Sequence, residues 1–303
     1  MQRGYIDKAL AATFEAMKQR RPAYSDVIDT FSDLYQTQAC LARSFAEHDF
    51  GLSDPDPERF RQGVSLLADT SGFGCAGQIE ESRKAILPVL MDSFPFTDQL
   101  RLLDEQAEAG ILDLHQLSLA YLRGEAASFQ QAADASGVST EVLAFAIRCV
   151  LGPVVSGLAR RMAEPLKKLP WSQGYCPVCG STPAIASLSR YDNTGNEGLV
   201  GGGGKKRLTC SLCSHEWAFR RDHCPSCGNS DADQKELLFA EDVRHERIEA
   251  CKKCGSYLLC VDLRQMEGDP RLEAMPLALL HLDLIAQERN YSPLAARPWS
   301  LDQ

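Results

Sequence analysis

Eight cysteines in four Cys-x-x-Cys pairs are the residues of this chain best suited to chemistry. The pairs lie in the motifs YCPVCG, TCSLCS, HCPSCG and ACKKCG, within one stretch of 79 residues. They are Cys176, Cys179, Cys210, Cys213, Cys224, Cys227, Cys251 and Cys254. This spacing places two sulfurs on one turn, so that both can approach an ion about 2.3 Å away. A single pair could equally be a thioredoxin-like redox motif, but four in series favour two tetrahedral four-cysteine metal sites.

Structural disulfides are the alternative interpretation of these cysteines, and the expected compartment argues against it. The N-terminal segment MQRGYIDKALAATFEAMKQR is charged and has no apolar core of signal-peptide length. By the sequence pattern, we expect no segment to approach the roughly 20 apolar residues that a membrane span requires. We therefore expect a cytoplasmic protein without a membrane span, in which thiols stay reduced. The remaining cysteines, Cys40, Cys75, Cys149 and Cys260, stand alone in apolar company, where we expect small core residues.

The charge distribution argues against nucleic acid as a partner. The Cys-rich stretch 171–263 has 11 basic and 12 acidic side chains, and the chain as a whole has a net charge of −9. A zinc module that holds nucleic acid normally presents a basic face, because contacts with phosphate supply most of that affinity. The short basic clusters, such as Lys205-Lys206-Arg207, are better explained as solvated flanks of hairpins.

Residues 1–170 are predicted to form an irregular all-α bundle. Apolar residues recur at three- and four-residue steps in Pro22–Phe50 and again from about Ser139 to Met162. Ser139 can cap the second of these helices, and Pro153 should kink it. Shorter helical patterns cover 57–69, 77–92, 98–109, 111–123 and 125–136. The glycine-rich segment 71–77 lacks the Lys and Ser/Thr of a P-loop, so we interpret it as a loop before a helix.

From Trp171 onward the order of knuckle, β-hairpin, knuckle occurs twice, as in rubredoxin-like or zinc-ribbon modules. The predicted fold class is therefore α+β multidomain, with a helical domain at 1–170, a first module at 171–219 and a second at 220–303. The strand-like segments of the second module are Lys235–Ala240 and Arg244–Ala250. The arm of the first has turn residues at 192–196 and 201–204, which predict a disordered tip. Glu216-Trp217-Ala218-Phe219-Arg220 alternates and should place Trp217 and Phe219 on one face of a strand.

Modules this small need a metal to fold, because they bury too little apolar surface alone. Sequential pairing of the knuckles closes shorter loops than the crossed arrangement, which the sequence leaves open. A closed four-thiolate site has no free coordination position for a substrate, which favours structure or one-electron redox over hydrolysis. All-sulfur tetrahedral coordination suits both zinc and iron.

The second predicted module includes a C-terminal helix over Pro270–Arg289. Its apolar face should consist of Leu277, Leu280, Leu284 and Ile285, packed against one of the metal modules.

Several segments together resemble the family of the formate dehydrogenase accessory protein FdhE. They are YCPVCGSTPA, LTCSLCSHEWAFRRDHCPSCGN, RIEACKKCGSYL and GDPRLEAMPLALLHLDLIAQERNYSP. The resemblance is tight over residues 171–292 and looser over the helical part. The glycine-rich insert at 200–204 departs from the family pattern without touching the cysteines.

The resemblance implies a non-enzymatic, cytoplasmic maturation factor. Its expected partner is the catalytic subunit of respiratory, molybdenum- or tungsten-dependent formate dehydrogenase, bound before export, and a homodimer is a further expectation. The resemblance also implies one iron ion at Cys176, Cys179, Cys210 and Cys213 and one at Cys224, Cys227, Cys251 and Cys254, with zinc as an alternative ion. Two other classes stay open from the residues alone: a one-electron redox protein and a nucleic-acid-binding ribbon.

Overall fold

The computed structural model describes residues 6–69, 73–190, 204–240 and 243–297. In the described part of 1–170 the chain is helical, as predicted. The helices are α1 (Lys8–Arg20), α2 (Ser25–Phe45), α3 (Pro57–Arg61), α4 (Ala76–Ser93), α5 (Thr97–Glu108), α6 (Leu114–Arg123), α7 (Ala126–Ser136), α8 (Thr140–Arg161) and α9 (Ala163–Lys167). Most of these bounds lie within a few residues of the predicted patterns, because one buried stripe decides where each helix packs. The pattern predicted at 57–69 is an exception, since α3 ends at Arg61.

Side-chain caps set where several of these helices begin. The hydroxyl of Ser139 accepts a hydrogen bond from the backbone N–H of Val142 at the start of α8, the cap expected from the sequence. The carboxylates of Asp7 and Asp113 cap α1 and α6 in the same way. Each cap satisfies one of the N–H groups that a helix start leaves without a partner.

Helix α8 forms the centre of the helical part and packs against α2 and α4. Its residues Leu143, Ile147 and Val150 are fully buried. Gly157 allows close contact with α2, because a Cβ at this position would lie 2.6 Å from the Cβ of Phe45. The core helix is thus surrounded by protein.

The apolarity of α8 corrects the expectation that no segment approaches the length and composition of a membrane span. Thr140–Arg161 is 22 residues long, and an 18-residue window within it has a mean hydropathy of 2.0, so by length and composition alone this helix could cross a membrane. In the structure 83% of that window is buried inside the protein. Its hydropathy therefore reflects its position in the core of the bundle.

Within the described residues the strands form one sheet of seven. They are β1 (Pro183–Leu188), β2 (Lys206–Cys210), β3 (Glu216–Ala218), β4 (Lys235–Ala240), β5 (Val243–Cys251), β6 (Ser256–Asp262) and β7 (Ser292–Pro293). The order is β3-β2-β1-β6-β5-β4, with β7 beside β6. Neighbours pair antiparallel except at β1–β6 and β6–β7, which are parallel.

The parallel β1–β6 pair joins the two predicted metal modules. Ile185 lies opposite Leu259, and Leu188 lies opposite Asp262. The hairpin strands of both predicted modules thus belong to a single sheet. The ranges 171–219 and 220–303 stay a prediction of domain boundaries.

The C-terminal segment is helical as expected, but with a different buried face. A 3-10 helix at Met275–Leu279 precedes α10 (Leu280–Glu288). Leu277 is buried, whereas Leu284 is 61% exposed, so the prediction for Leu284 is wrong. Because a 3-10 helix has three residues per turn, it rotates the following helix relative to a continuous α-helix, and Leu282 and Ala286 are buried instead.

Two features of the sequence fall on residues beyond the described ranges. Positions 71–72 of the glycine-rich segment and positions 192–196 and 201–203 of the first hairpin arm lie outside them. The described remainder of the first segment precedes α4, and the N–H of Gly74 donates to the carbonyl oxygen of Phe50.

Candidate metal centres

Four cysteines of the first predicted module converge on one point. The sulfur of Cys179 lies 3.4 Å from that of Cys210 and 3.8 Å from that of Cys213, and the sulfurs of Cys176 and Cys213 are 3.6 Å apart. Sulfurs about 2.3 Å from a common centre form a tetrahedron with edges of about 3.8 Å. The four thiols are therefore arranged as the corners of a metal site.

The second group of four has the same arrangement. The sulfurs of Cys224 and Cys254 are 3.8 Å apart, as are those of Cys227 and Cys251. In each group all four sulfurs lie within 4.8 Å of one another. The structure thus brings the knuckles together in sequential order and not in the crossed arrangement.

All four knuckles use the same backbone turn. The residue after the second cysteine has a positive φ in each: +75° at Gly180, 57° at Ser214, +70° at Gly228 and +71° at Gly255. Glycine adopts this conformation without a Cβ clash, which explains three of these positions. Ser214 adopts it against the ordinary preference of a residue with a side chain.

Backbone N–H groups point at the sulfurs of the first group. Val178 donates to Sγ of Cys176, and Leu212 donates to Sγ of Cys210, each over 3.4 Å. Such bonds stabilise thiolates and orient them toward a metal. The fixed Cys-x-x-Cys spacing is what places these N–H groups.

The helical part holds the first knuckle in place. The N–H of Leu66 donates to the carbonyl oxygen of Pro177, and that of Leu67 donates to the carbonyl oxygen of Val178, each over 2.8 Å. The hydroxyl of Tyr175 donates to the carbonyl oxygen of Gly63 over 2.7 Å. The loop after α3 therefore packs directly on the first knuckle.

Helix α8 holds the second knuckle, and β3 contacts the segment before the first knuckle. Trp217 on β3 is buried, and its indole N–H donates to the carbonyl oxygen of Gln173. Arg148 on α8 donates to the carbonyl oxygen of Ser211 over 2.9 Å. Trp217 is buried and Phe219, just after β3, is half-buried, whereas Glu216 and Ala218 are exposed, which is the alternation that the sequence predicted.

The two groups differ in exposure. Cys176, Cys179, Cys210 and Cys213 are all buried, whereas in the second group Cys227 and Cys254 are exposed. In the second group Cys251 is the last residue of β5, and Cys254 follows three residues later. Cys224 and Cys251 are buried, so protein covers the group only in part.

The thiols of the first group perturb one another strongly. Burial raises the pKa of Cys176 and Cys213 well above the ordinary value. Burial acts in the same direction at Cys179, but hydrogen bonds from Cys176, Cys210 and Cys213 outweigh it and hold its pKa well below that value. Four buried thiols at this spacing cannot all ionise unless a cation compensates them.

The second group shows a weaker version of the same pattern. Burial raises the pKa of Cys224 to about 12. At Cys254 burial is outweighed by hydrogen bonds from Ser256 and from Cys227 and Cys251, which lower its pKa to about 6. A cation at the centre of each group would stabilise all four thiolates at once. The donor set and geometry therefore fit a four-sulfur metal site in both places.

The other candidate ligands lie outside the groups. His215 and His223 are not part of either set of converging ligand atoms. Burial lowers the pKa of His215 to about 4, and Nδ1 of His223 lies 3.0 Å from a carboxylate oxygen of Asp222. Of the lone cysteines, Cys75, Cys149 and Cys260 are buried apart from the clusters, and Cys40 is half-buried.

Sequence reasoning missed some residues around the groups. The side-chain amide of Asn229 lies 3.8 Å from the sulfur of Cys251, and the hydroxyl of Ser181 lies 3.4 Å from the sulfur of Cys179. Their positions just after a knuckle were a usable signal. Arg148 was also missed, although an arginine in the otherwise apolar α8 is itself conspicuous.

Comparison with known proteins identifies relatives. No protein-family model matches the chain. A protein FdhE homolog of Aquifex aeolicus is 31% identical over 156 residues, which cover 52% of this chain and 51% of the relative. Protein FdhE of Escherichia coli O9:H4 (strain HS) is 33% identical over 127 residues, 41% of this chain and 37% of the relative. The matches thus span about half or less of the length of these curated relatives.

The fold extends the comparison over the rest of the chain. The crystal structure of the FdhE protein from Pseudomonas aeruginosa superposes with a TM-score of 0.60, covering 95% of this chain and 94% of that chain at 21% identity. Identity at this level shows the fold alone. The resemblance of the chain to the FdhE family is therefore confirmed, in sequence over about half of its length and in fold over nearly all of it.

Proposed function

We propose that this chain is a cytoplasmic accessory protein for the maturation of respiratory formate dehydrogenase. In this proposal it binds the molybdenum- or tungsten-dependent catalytic subunit before export and performs no catalysis itself. The observation that supports it most directly is the relation to FdhE proteins combined with eight cysteines grouped as two closed four-sulfur sets.

The eight grouped cysteines are proposed as the metal ligands, one ion per group. The family resemblance favours iron, and zinc is the alternative ion, since four sulfurs suit both. The ion would supply the positive charge that lets four crowded thiolates coexist, and this fixes the knuckles. With all four positions taken by sulfur, neither site offers a coordination position to a substrate.

Residues of the chain stabilise the thiolates and set the positions of the knuckles. Backbone N–H groups from Val178 and Leu212 stabilise thiolate charge in the first group. The β-hairpins set the distance between the knuckles of each pair. The metal-stabilised sheet then forms a fixed surface from which a client can be recognised.

One-electron redox is the second candidate, and a specific observation favours it. Cys227 and Cys254 are exposed, so an ion in the second group would lie close to the surface. A redox-active iron there could exchange an electron with an outside partner. This candidate predicts a reversible change between two oxidation states of the native iron, which voltammetry of the purified protein would detect.

The accessory function is tested by recovery of the catalytic subunit. The double variant Cys224→Ser, Cys227→Ser replaces two soft thiolates by hydroxyls, which are poor ligands for these ions, so the second site should lose its metal. We expect the variant to recover less catalytic subunit from cell extract than the wild type, and formate oxidation to fall in the cell. Elemental analysis of the natively produced protein should give two metal ions per chain, and size-exclusion chromatography tests the homodimer.

Equal recovery of the subunit by wild type and variant, with normal formate oxidation, would show that the second site is not needed for recognition. Circular dichroism at 222 nm is the control, because the helical part should remain folded in the variant.

A further inference from the structure

A groove of about 410 Å³ lies where three parts of the molecule meet. One wall comes from α2 and α8, the second from residues 210–216 around the second knuckle, and the third from residues 270–276 with Ala296 and Arg297. A volume of this size is in the range of ligand-binding clefts.

The charged residues of the groove are mostly arginines. Arg148, Arg160, Arg271 and Arg297 line it together with two acidic residues, Glu216 and Glu273. Arg271 pairs with Asp7 and Glu273, and Arg297 pairs with Asp283, so the positive charge of the groove comes from Arg148 and Arg160, in a chain whose net charge is −9.

The two glutamates are already engaged by arginines. A carboxylate oxygen of Glu273 lies 2.8 Å from Nη2 of Arg271, and a carboxylate oxygen of Glu216 lies 3.2 Å from Nε of Arg207. Neither glutamate therefore neutralises Arg148 or Arg160.

Arg148 and Arg160 have no acidic partner among the described residues. Arg148 donates to two backbone carbonyl oxygens, those of Ala296 and Ser211, over 3.1 and 2.9 Å. Arg160 is exposed in the last turn of α8. Both guanidinium groups keep their full charge at the groove.

Arg297 adds a buried donor to the same wall. It is 6% exposed, and its Nη atoms are used by the carbonyl oxygen of Ala184 and a carboxylate oxygen of Asp283. Its Nε is buried and has no hydrogen-bond partner within the part of the chain that the structure describes. A buried N–H without a partner is costly, and an incoming acceptor would relieve that cost.

Between these charges the groove is apolar. Tyr35, Phe145, Pro153, Leu212 and Pro276 are among the residues that line it. A cationic groove with apolar walls matches a peptide that alternates acidic and aliphatic side chains. A nucleic acid would instead need a continuous basic stripe along its phosphates, which the near-neutral Cys-rich region does not offer.

We propose that this groove binds an acidic, partly apolar peptide segment of the client. The inference rests on the proposed accessory function and names one surface that takes part in recognition, in addition to the second cysteine group that the recovery experiment tests. Because residues 210–214 form one wall, the first cysteine group shapes the groove, whereas the second group does not line it.

Binding is tested with fluorescein-labelled peptides on the intact metal-loaded protein. The probes are a short peptide of alternating Glu and Leu, its counterpart with Gln for Glu, and its counterpart with Lys for Glu. Fluorescence anisotropy should show binding of the Glu peptide at least about tenfold tighter than of the other two, since each tenfold is about 1.4 kcal/mol. Equal binding of the three peptides, or tighter binding of a single-stranded oligonucleotide, would overturn the proposal.

Two substitutions locate the binding. Arg160→Gln removes an exposed charge at the end of a helix and should weaken binding of the Glu peptide about fivefold or more. Arg148→Lys keeps the charge, so binding should fall less than in Arg148→Gln. Arg101→Gln is the matched control, because Arg101 is 58% exposed on α5, away from the groove.

Melting temperatures close to that of the wild type verify that the Arg160 and Arg101 variants are folded. If Arg160→Gln and Arg101→Gln bind the Glu peptide as tightly as the wild type does, the groove is not the binding surface.

Recovery of the catalytic subunit separates failure of the groove from failure of the function. If the wild type and the variants Arg160→Gln and Arg148→Gln recover the subunit equally well, the groove is refuted as the binding surface. The accessory function is not contradicted by that result. Wild-type protein that recovers none refutes the accessory function itself.

Discussion

The two cysteine groups have the same motif and the same sulfur geometry but different surroundings. Cys176, Cys179, Cys210 and Cys213 are all buried between the helical part and the sheet. In the other group Cys227 and Cys254 are exposed. A knuckle therefore fixes the distances between sulfurs, whereas the packing around it decides whether solvent and other proteins can reach the site.

The difference in burial predicts that the two sites affect the stability of the protein to different extents. A buried site is coupled to the stability of everything packed on it, here the loop after α3, α8 and β3. A site at the sheet end can lose its ion with little effect elsewhere.

Removing the first site should destabilise the whole protein. In Cys176→Ser, Cys179→Ser two hydroxyls replace buried thiolate ligands, and a structural four-sulfur site contributes on the order of 10 kcal/mol to the folding of small modules. We expect insoluble protein or a melting temperature lower by 10 °C or more, by order of magnitude. The matched control is Cys224→Ser, Cys227→Ser, for which thermal unfolding followed by circular dichroism should show a smaller shift.

Metal release should occur in two phases. A chelator reaches the ion of the second group through Cys227 and Cys254, whereas the first group must open before it can be attacked. With a chromogenic chelator in excess we expect one ion per chain to be released at least about tenfold faster than the other, because local opening costs free energy. Release in a single phase would contradict the difference in access, and Cys224→Ser, Cys227→Ser should abolish the fast phase.

Adding a methyl group at Gly174 should disturb the contact between the two groups. A Cβ at this position would lie 1.9 Å from the carbonyl oxygen of Pro225, which belongs to the third knuckle. Gly174→Ala must therefore displace the third knuckle, at a cost of about 1–3 kcal/mol. Denaturant unfolding measures the loss, and the fast phase of metal release should quicken while the slow phase changes less.

The smallest expected effect is a gain in stability at Ser214. This residue follows its knuckle with φ 57°, where the other three knuckles have glycine. Ser214→Gly relieves the strain of the left-handed conformation but makes the unfolded chain more flexible, so the net gain should be at most about 1 kcal/mol. Gly180→Ser is the reverse control and should lower the free energy of unfolding.

Much of the local structure could be predicted from the sequence. The start of α8 at Thr140 and the cap at Ser139 follow from a serine before a long apolar stripe. The second hairpin was placed at Lys235–Ala240 and Arg244–Ala250, and the strands are Lys235–Ala240 and Val243–Cys251. The convergence of the sulfurs follows from the Cys-x-x-Cys turns and from the hairpins that bring sequential pairs together.

Other features depended on contacts that no local pattern encodes. The exposure of Leu284 results from a 3-10 helix that turns α10 relative to its predicted phase. The parallel pairing of β1 with β6 joins strands more than 60 residues apart and fuses the two hairpins into one sheet. The arginine groove requires α8, the second knuckle and the C-terminal segment to meet.

The sequence by itself determined the eight cysteines, their turns and hairpins, and the amphipathic helices, because those depend on residues only a few positions apart. The tertiary structure alone decided which cysteine group is buried and where the groove lies. The physical reason is that burial arises from distant contacts, such as the hydrogen bond from Leu66 to Pro177 and that from Arg148 to Ser211. Identical knuckles therefore give a buried centre at one place in this fold and a half-exposed one at another.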